Sequence, residues 1–183
     1  MRRWRDVTEL RILHTADLDS ATSTAARALL VEVFDGDFSD HDWEHALGGV
    51  HALVWDGAEL IGHASVVQRR LLHRGRALRA GYVEGVGVRA DQRGHGHGAR
   101  MMQVVERVVC SAYDLGALGA TDEAAQFYAR RGWRLWRGRS CAFTPTGIER
   151  TAGEDGCIYV LSHAVAVDVF GELTCDWRDG DVW

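Results

Sequence analysis

The chain has 183 residues, with 26 acidic side chains, 21 basic side chains and a formal net charge of -5. Every one of the basic residues is an arginine, and a chain without lysine cannot build a Walker A phosphate loop or a Schiff base with pyridoxal phosphate. The acidic excess argues against non-specific nucleic-acid binding, and no apolar run approaches the ~18 residues needed to span a bilayer. We therefore expect neither a nucleic-acid nor a membrane partner.

Length and cysteine content limit the number of domains and the kinds of site that the chain can contain. A chain of this size predicts a single domain over residues 1–183, with a core large enough to fold without disulfides. The cysteines are widely spaced and form no Cys-x-x-Cys motif: Cys110, Cys141, Cys157 and Cys175. They indicate reduced thiols in a cytoplasmic protein, without a zinc or redox site. No apolar stretch follows the basic N-terminal residues, so no signal peptide is expected.

The first half of the chain predicts two helices and a β-meander. Residues 10–14 have strand character, a helix capped by Asp19 or Ser20 runs to Phe34, and Ser39 can cap a short helix over 40–47. Strands are predicted over 50–55, 60–72 and 76–88, with turns at 56–57 and 73–75.

The second half begins with a glycine-rich loop over 93–98, which opens an amphipathic helix. Apolar residues of this helix recur on one face: Met101, Val105, Val108 and Ala112. A strand over 116–119 and a helix from Thr121 or Asp122 to Gly132 follow. Strands are then predicted over 133–143 and 157–161, joined by a loop over 145–156, and residues 164–183 fit no element. This order indicates one α/β or α+β domain.

Charge is divided along the chain. No arginine lies between Arg27 and Arg69, a stretch that holds several carboxylates: Asp35, Asp37, Asp40, Asp42, Glu44, Asp56 and Glu59. From residue 151 onward the chain is again acidic, with Arg178 as its only arginine, whereas arginines gather over residues 69–100. Such a division could suit one anionic and one cationic ligand, although solvated surface charge is the simpler explanation of the charge alone.

The glycine loop carries the most specific pattern. Alternating glycines at 94, 96 and 98 lead into a helix, so backbone N–H groups and the helix N-terminus can converge on a phosphate, with Arg93 adding a full charge. Gly94, Gly96 and Ala99 also satisfy a dinucleotide-binding pattern, but the loop stands too far from its strand and too few βα units follow. A merely flexible connection is the other alternative.

The string from Val86 to Gly98 resembles the coenzyme A loop of the GCN5-related N-acetyltransferases (GNAT), whose Arg/Gln-x-x-Gly-x-Gly/Ala motif is matched by Arg93, Gly96 and Gly98. The resemblance implies an α+β fold with a mixed, mostly antiparallel central sheet, flanking helices and splayed strands at the acetyl-CoA site. It implies that the coenzyme contacts the end of one strand and the loop: Val86, Gly87, Val88, Arg93, Gly94, His95, Gly96, His97 and Gly98. The segment 124–133 resembles a second family signature, in which Tyr128 takes the position of an acid near the coenzyme sulfur.

A narrower resemblance covers nearly the whole chain. The strings at 36–38, 42–45, 47–49, 81–86 and 175–183 are similar to those of the aminoglycoside 2'-N-acetyltransferases. This resemblance implies a homodimer, an acidic segment 164–183 that completes the substrate site beside a core of about 8–163, and a set of residues around the sugar: Asp37, Asp42, Glu84, Gly85, Gly119, Gly153, Glu154, Asp181 and Trp183 with its terminal carboxylate. Glu154 replaces an aspartate, and Gly119 replaces a serine whose side-chain contact is lost.

Acetyl transfer to an amine requires a neutral nucleophile, whereas an aminoglycoside is a polycation at pH 7. Glu84 precedes the coenzyme-pairing Val86 by two residues, so we predict it as the base, directly or through water, with Tyr128 as the acid. No cysteine lies in a base-flanked motif, which favours direct transfer in a ternary complex. Structural alternatives remain for each residue: surface charge for Glu84, core packing for Tyr128, helix caps for Asp37 and Asp42, and a disordered tail for Asp181 and Trp183.

Two further alternatives concern function. His41, Glu44 and His45 fit the H-x-x-E-H zinc pattern, but no further ligand can be placed, so solvated histidines are the simpler interpretation and no metal is predicted. The resemblance would also suit a GNAT enzyme that acetylates another amino sugar, a polyamine or a cell-wall component, or a non-catalytic acetyl-CoA sensor.

Overall fold

The computed structural model describes residues 8–163 and 165–183. The chain divides into two compact units. The first comprises the described residues up to Val67 together with Glu84–Arg107, and the second comprises Gln68–Val83 and Val108–Trp183.

The first unit contains an antiparallel sheet with helices. Strands β1 (Glu9–His14), β2 (Val50–Asp56) and the start of β3 (Glu59–His73) pair in this order. Helix α1 (Ser20–Val33) begins after Asp19, whose carboxylate accepts a hydrogen bond from the Thr22 backbone N–H at 2.7 Å. Helix α2 (Asp40–His45) begins with a capping box, and α3 (His97–Ala112) starts in this unit. Buried apolar side chains of α1, α2, β2 and β3 form its core: Ala26, Leu29, Leu30, Trp43, Leu53 and Leu60.

The second unit contains the longer run of strands. It includes the end of β3 and most of β4 (Arg76–Val88), together with strands β5 to β10, whose bounds are given next. Neighbouring strands of the sheet follow the order β6-β9-β5-β4-β3-β10-β7-β8. The remaining elements are β5 (Leu115–Gly119), α4 (Asp122–Ala129), β6 (Arg134–Leu135), β7 (Ser140–Thr144), β8 (Gly147–Arg150), β9 (Ile158–Ser162) and β10 (Leu173–Cys175). β4 pairs in parallel with β5, and β10 pairs in parallel with β7. β9 is antiparallel to both β5 and β6. This is the predicted mixed, mostly antiparallel sheet.

The ladder between β4 and β5 is short. It ends at the pair Tyr82 and Ala117, although β4 continues to Val88. Gly85 then has a φ of 55°, a left-handed value that interrupts the regular strand conformation. The end of β4 therefore extends beyond its pairing with β5 before the glycine loop begins.

Several predicted elements are wrong in the second half. The single strand predicted over 133–143 is two strands, because Arg137 and Gly138 both donate backbone hydrogen bonds to the Val169 carbonyl at 2.8 Å. The loop predicted over 145–156 contains strand β8, and the unassigned segment contains β10. The glycine loop is also shorter than predicted, since α3 begins at His97.

Candidate active site

The glycine loop has the open geometry that a phosphate requires. Gly94 and Gly96 have φ values of 79° and 83°, and a Cβ on either residue would meet no atom within 4 Å. Gly98 lies in the first turn of α3, while the exposed Arg93 donates from Nε to the Val88 carbonyl at 3.1 Å. Backbone groups, a helix N-terminus and a guanidinium thus meet at an exposed loop with room for an anion.

Two histidines alternate with these glycines. The rings of His95 and His97 stack with their centroids 6.1 Å apart. His97 is buried, and its Nδ1 has no hydrogen-bond partner among the described residues. Burial lowers the pKa of His97, and the charges of Arg100 and His95 lower it further. These effects favour the uncharged imidazole at position 97, which can donate or accept a hydrogen bond at its buried Nδ1.

The end of β4 lies close against α1. A Cβ at Gly87 would stand 3.0 Å from a methyl carbon of Val33 and 3.2 Å from one of Leu30. Both flanking residues, Val86 and Val88, are half-buried on this strand. Glycine at 87 thus lets the helix approach the backbone that the sequence assigns to the coenzyme.

Glu84 and Gly85 form the irregular point of β4. The Glu84 side chain is half-buried, and its carbonyl accepts a hydrogen bond from Ser65 Oγ at 3.3 Å. The next carbonyl, that of Gly85, accepts a hydrogen bond from His63 Nδ1 at 2.7 Å. Neighbouring carbonyls of β4 are thus both bound by side chains of β3.

Asp37 and Asp42 lie before and within α2. The Asp42 carboxylate accepts hydrogen bonds from the Ser39 backbone N–H at 2.7 Å and from Ser39 Oγ at 2.8 Å, which completes the capping box. The helix-cap interpretation is confirmed for Asp42. It is wrong for Asp37, since Ser39 is the N-cap of α2, and Asp37 is an exposed residue before it.

The predicted acid, Tyr128, is a buried residue of α4 in the second unit. Its ring centroid lies 6.2 Å from that of Trp133 and 6.3 Å from that of Tyr159. This aromatic cluster fixes the ring of Tyr128 and limits the positions that its hydroxyl can take.

The acidic residues of the second unit form one group with the end of the chain. Trp183 is only 5% exposed, and its Nε1 donates to Thr151 Oγ1 at 2.8 Å. Its backbone N–H donates to Asp181 Oδ1 at 3.1 Å, so the disordered-tail interpretation is wrong. Burial raises the pKa of Glu154, and the charge of Asp181 raises it further. Gly153 and Glu154 end a short 3-10 helix next to Thr151.

Sequence reasoning missed the residues that hold this group in place. The buried Arg69 donates from Nε to Asp176 Oδ1 and from Nη2 to the Val182 carbonyl, both at 2.8 Å. Its guanidinium lies 4.7 Å from the Tyr82 ring centroid, and that of Arg178 lies 5.4 Å from it. A Cβ at Gly119 would be 3.8 Å from the Tyr82 hydroxyl. The run of arginines was the only sequence signal, and it did not single out Arg69.

The predicted residues therefore fall into two groups. In the first unit they are Asp37, Asp42, Glu84, Gly85 and the residues assigned to the coenzyme, from Val86 to Gly98. In the second unit they are Gly119, Tyr128, Gly153, Glu154, Asp181 and Trp183. One group contains an open glycine loop and a strand carboxylate, and the other contains neighbouring carboxylates and a buried phenol.

Comparison with known proteins adds the family. Residues 9–136 match the model of the acetyltransferase (GNAT) domain. The chain belongs to the GNAT acetyltransferase family. It is also 51% identical, over 94% of its length and 91% of the relative's, to the aminoglycoside 2'-N-acetyltransferase of Mycolicibacterium fortuitum, which places it in the same family as that protein.

Solved structures confirm the fold. The GNAT family N-acetyltransferase YhbS of Escherichia coli, solved in complex with CoA, has a TM-score of 0.62 and 16% identity, with 91% of this chain and 88% of that one covered. A GCN5-related N-acetyltransferase from Kribbella flavida has a TM-score of 0.54 and 19% identity. The alignment covers 72% of this chain and 34% of that longer one. The predicted GNAT fold, with its mixed sheet and flanking helices, is thus confirmed.

Two features of the described part of the chain bear on membrane and metal binding. No helix there is long and apolar enough to cross a membrane. Across residues 8–163 and 165–183, no group of three or more histidine, cysteine, aspartate or glutamate residues is placed to hold a metal ion. His41 and Glu44 of the H-x-x-E-H pattern face each other at 3.6 Å, an ion pair when the histidine is protonated.

Proposed function

We propose that this chain transfers the acetyl group of acetyl-CoA to the 2'-amine of an aminoglycoside, and so inactivates aminoglycoside antibiotics. The observation that carries the proposal is the identity of 51% with the aminoglycoside 2'-N-acetyltransferase of Mycolicibacterium fortuitum over 94% of the chain. The geometry of each unit supports it, because one unit offers an anion-binding loop and the other an acidic cluster.

The glycine loop is the proposed coenzyme site. Acetyl-CoA supplies the acetyl group as an activated thioester. Its pyrophosphate suits the loop, where Cβ atoms at Gly94 and Gly96 would stand in open space and Arg93 adds positive charge. The backbone of Val86 to Val88 would pair with the pantetheine arm as an added strand. His95, His97 and Gly98 complete the proposed contacts.

Carboxylates are the proposed ligands of the cationic sugar. Asp37 and Asp42 in the first unit, and Glu154 and Asp181 in the second, would pair with its ammonium groups. Burial and the charge of Asp181 raise the pKa of Glu154, so a bound cation there would relieve the repulsion between the two carboxylates. The remaining contacts proposed for the sugar are those of Gly85, Gly119, Gly153 and Trp183.

Glu84 and Tyr128 are the proposed base and acid of a direct transfer. Glu84 takes a proton from the 2'-ammonium group, directly or through one water, so that the neutral nitrogen can attack the thioester carbonyl carbon. A carbon–nitrogen bond forms and the carbon–sulfur bond breaks. Tyr128 gives its proton to the departing thiolate, and the second proton of the attacking nitrogen restores the phenol by way of solvent as the amide forms. The products are the N-acetylated sugar, free CoA and the proton that Glu84 accepted and then releases to solvent. No step requires a metal ion.

The deciding experiment compares two sugars. The purified chain is incubated with acetyl-CoA and an aminoglycoside that carries either a 2'-amine or a 2'-hydroxyl, and released thiol is followed with a chromogenic disulfide. We expect thiol release with the 2'-amine alone. Tight binding of acetyl-CoA without turnover of any cationic amino sugar would reject the proposed enzymatic activity and favour a non-catalytic acetyl-CoA sensor. Turnover only with other amines would show that the substrate is not an aminoglycoside.

The base has its own test with a matched control. Glu84→Gln keeps the size of the side chain and removes the carboxylate, so we expect kcat to fall by at least ~100-fold, in the range of general base catalysis. Glu32→Gln makes the same change on an exposed position of α1 and should leave kcat unchanged. Equal turnover by Glu84→Gln and the wild type would remove Glu84 from the mechanism.

The family resemblance also supports a homodimer that works in the cytoplasm. Light scattering after gel filtration tests the dimer. We expect twice the chain mass of 20.3 kDa. A mass of one chain at micromolar concentration would reject the dimer.

A further inference from the structure

A buried chain of hydrogen bonds in the first unit ends at the proposed catalytic strand. Thr15 Oγ1 lies 2.8 Å from His51 Nε2, and His51 Nδ1 lies 3.0 Å from His63 Nε2. His63 Nδ1 lies 2.7 Å from the Gly85 carbonyl oxygen. Both imidazoles are fully buried, and Trp43 of α2 packs beside them with ring centroids 6.5 and 6.1 Å away.

The protons of this chain can be assigned from one end. A carbonyl oxygen only accepts, so a neutral His63 carries its proton on Nδ1 and accepts at Nε2. His51, also neutral, then donates from Nδ1 and accepts at Nε2. The Thr15 hydroxyl donates to this nitrogen at 2.8 Å in preference to the Gly49 carbonyl at 3.3 Å. Thr15 Oγ1 itself accepts from the backbone N–H groups of Gly48 at 2.8 Å and Gly49 at 3.2 Å. Every bond in the chain thus has one donor and one acceptor.

Burial keeps both histidines neutral at pH 7, because neither imidazole is exposed to water. Burial lowers the pKa of His63 to about 4, and burial together with the charge of His63 lowers the pKa of His51 to about 3. The hydrogen bonds from Thr15 to Gly85 therefore keep the same donors and acceptors at neutral pH.

The carbonyl that His63 binds belongs to the irregular point of β4. The neighbouring Glu84 carbonyl accepts from Ser65, so two successive residues of β4 are held by side chains of β3. Gly85 has a φ of 55°, and a Cβ there would meet Leu30 at 3.0 Å. A left-handed residue within a strand changes the direction in which the neighbouring side chains point, as it does in a β-bulge. The neighbours here are Glu84 and Val86.

We infer that His63, oriented by His51, is a positioning residue for acetyl transfer. Its Nδ1–H holds the Gly85 carbonyl and so fixes the backbone that joins the proposed base, Glu84, to the strand end proposed to bind the coenzyme. The inference rests on the proposed function. This series of hydrogen bonds does not conduct protons to the site, because it ends at the Gly85 carbonyl oxygen, which cannot pass a proton on. Its role is therefore to hold geometry.

The variants separate this role from simple core stability. His63→Leu removes the donor, and we expect kcat to fall at least tenfold while the KM for acetyl-CoA changes less than twofold. His63→Asn places an amide N–H near the position of Nδ1 and should recover kcat to within threefold of the wild type. His51→Leu leaves His63 in place but removes the donor to its Nε2, and should lower kcat in the same direction.

The matched control is His73 in the second unit. It is also buried, and its Nδ1 donates to the Glu172 carbonyl at 2.8 Å with its ring against Trp136. His73→Leu removes the same kind of bond and should lower stability without changing the kcat of the folded protein. If His63→Leu affects only stability, as this control does, the positioning role is rejected.

Nitrogen NMR of the imidazoles gives a readout that does not depend on activity. At pH 7 we expect both His51 and His63 as the Nδ1–H tautomer, with the same result in the presence of CoA. An Nε2–H tautomer on His63 would overturn the assignment even if the variants lose activity. Absence of turnover by the wild type would reject the proposed function and the positioning role together, whereas normal turnover by His63→Leu would reject the positioning role alone.

Discussion

Gly96 shows how one residue can carry a binding site without a side chain. Its φ of 83° is unfavourable for any residue with a Cβ, and the space that a Cβ would take is empty. The loop thus keeps a conformation that glycine adopts without strain, and it leaves open space beside its backbone. Packing within the protein gives no reason for this, whereas an approaching ligand does.

We predict that Gly96→Ala weakens the coenzyme site more than the fold. The left-handed conformation should lower the free energy of unfolding by about 1–2 kcal/mol, and the methyl group should raise the KM for acetyl-CoA about tenfold. Gly75→Ala is the control, since Gly75 has a φ of 75° and equally open space in the turn between β3 and β4. An equal rise in KM in both variants would show that the effect comes from strain alone.

The buried histidines predict how stability depends on pH. Their pKa values in the folded protein, about 4 for His63 and about 3 for His51, lie below the ordinary value of 6.5. The unfolded chain therefore binds more protons, and stability is complete above pH 6.5 and falls as the pH drops below it. Each histidine contributes at most about 1.4 kcal/mol per pH unit. Urea midpoints between pH 7.5 and 5 should fall, with a shallower slope in His63→Asn.

The result that would contradict this prediction is a urea midpoint that stays constant below pH 6.5. The charge of His14 also lowers the pKa of His51, so His14→Gln is a useful further variant. It removes a nearby charge without breaking the chain to Gly85, and its slope should differ only slightly from that of the wild type.

At the level of elements, the sequence predicts what local patterns decide. Asp19 and Ser39 cap α1 and α2 as expected, and the bounds of β4 match the prediction at both ends. The break between β6 and β7 depends on Val169, whose carbonyl binds residues more than thirty positions earlier, and no local pattern reveals such a contact. Only the family resemblance assigned the segment around Trp183 to a site.

The site follows the same division. The glycine loop is visible in the sequence because its spacing is local. Arg69 and the histidine chain are not, because Arg69 acts through Asp176 and Val182, and His63 acts through Gly85 on another strand. Their roles depend on burial and on tertiary contacts, which composition and periodicity do not report.

The segment 176–183 gives a prediction at this scale. Trp183 is buried, and Arg178 donates from Nη2 to its backbone oxygen at 2.9 Å. Deletion of residues 181–183 removes Asp181, the carboxylate whose charge acts on Glu154, together with the buried Trp183. We expect the KM for the sugar to rise at least fivefold and that for acetyl-CoA less than twofold. Trp177→Ala, at a position 48% exposed in the same segment, should change neither. A larger effect on acetyl-CoA would reject the proposed role of this segment.

At the scale of the whole molecule, the distribution of charge matters more than its sum. A net charge of -5 is modest, yet residues between Arg27 and Arg69 and those beyond 151 are strongly acidic. Many of these carboxylates are exposed, where water and salt weaken single ion pairs to about 1 kcal/mol or less. A polycation that meets several of them at once still gains a large total interaction, and that interaction is sensitive to ionic strength.

We therefore predict a salt dependence that grows with the charge of the sugar. Raising the ionic strength from about 0.01 to 0.1 M shortens the Debye length from about 30 to about 10 Å, which screens the exposed carboxylates. The KM should rise several-fold, and more steeply for a sugar with five amines than for one with three, while kcat stays constant. Steady-state kinetics at fixed, saturating acetyl-CoA measures this. Equal slopes for the two sugars would mean that the carboxylates do not act together on the bound polycation.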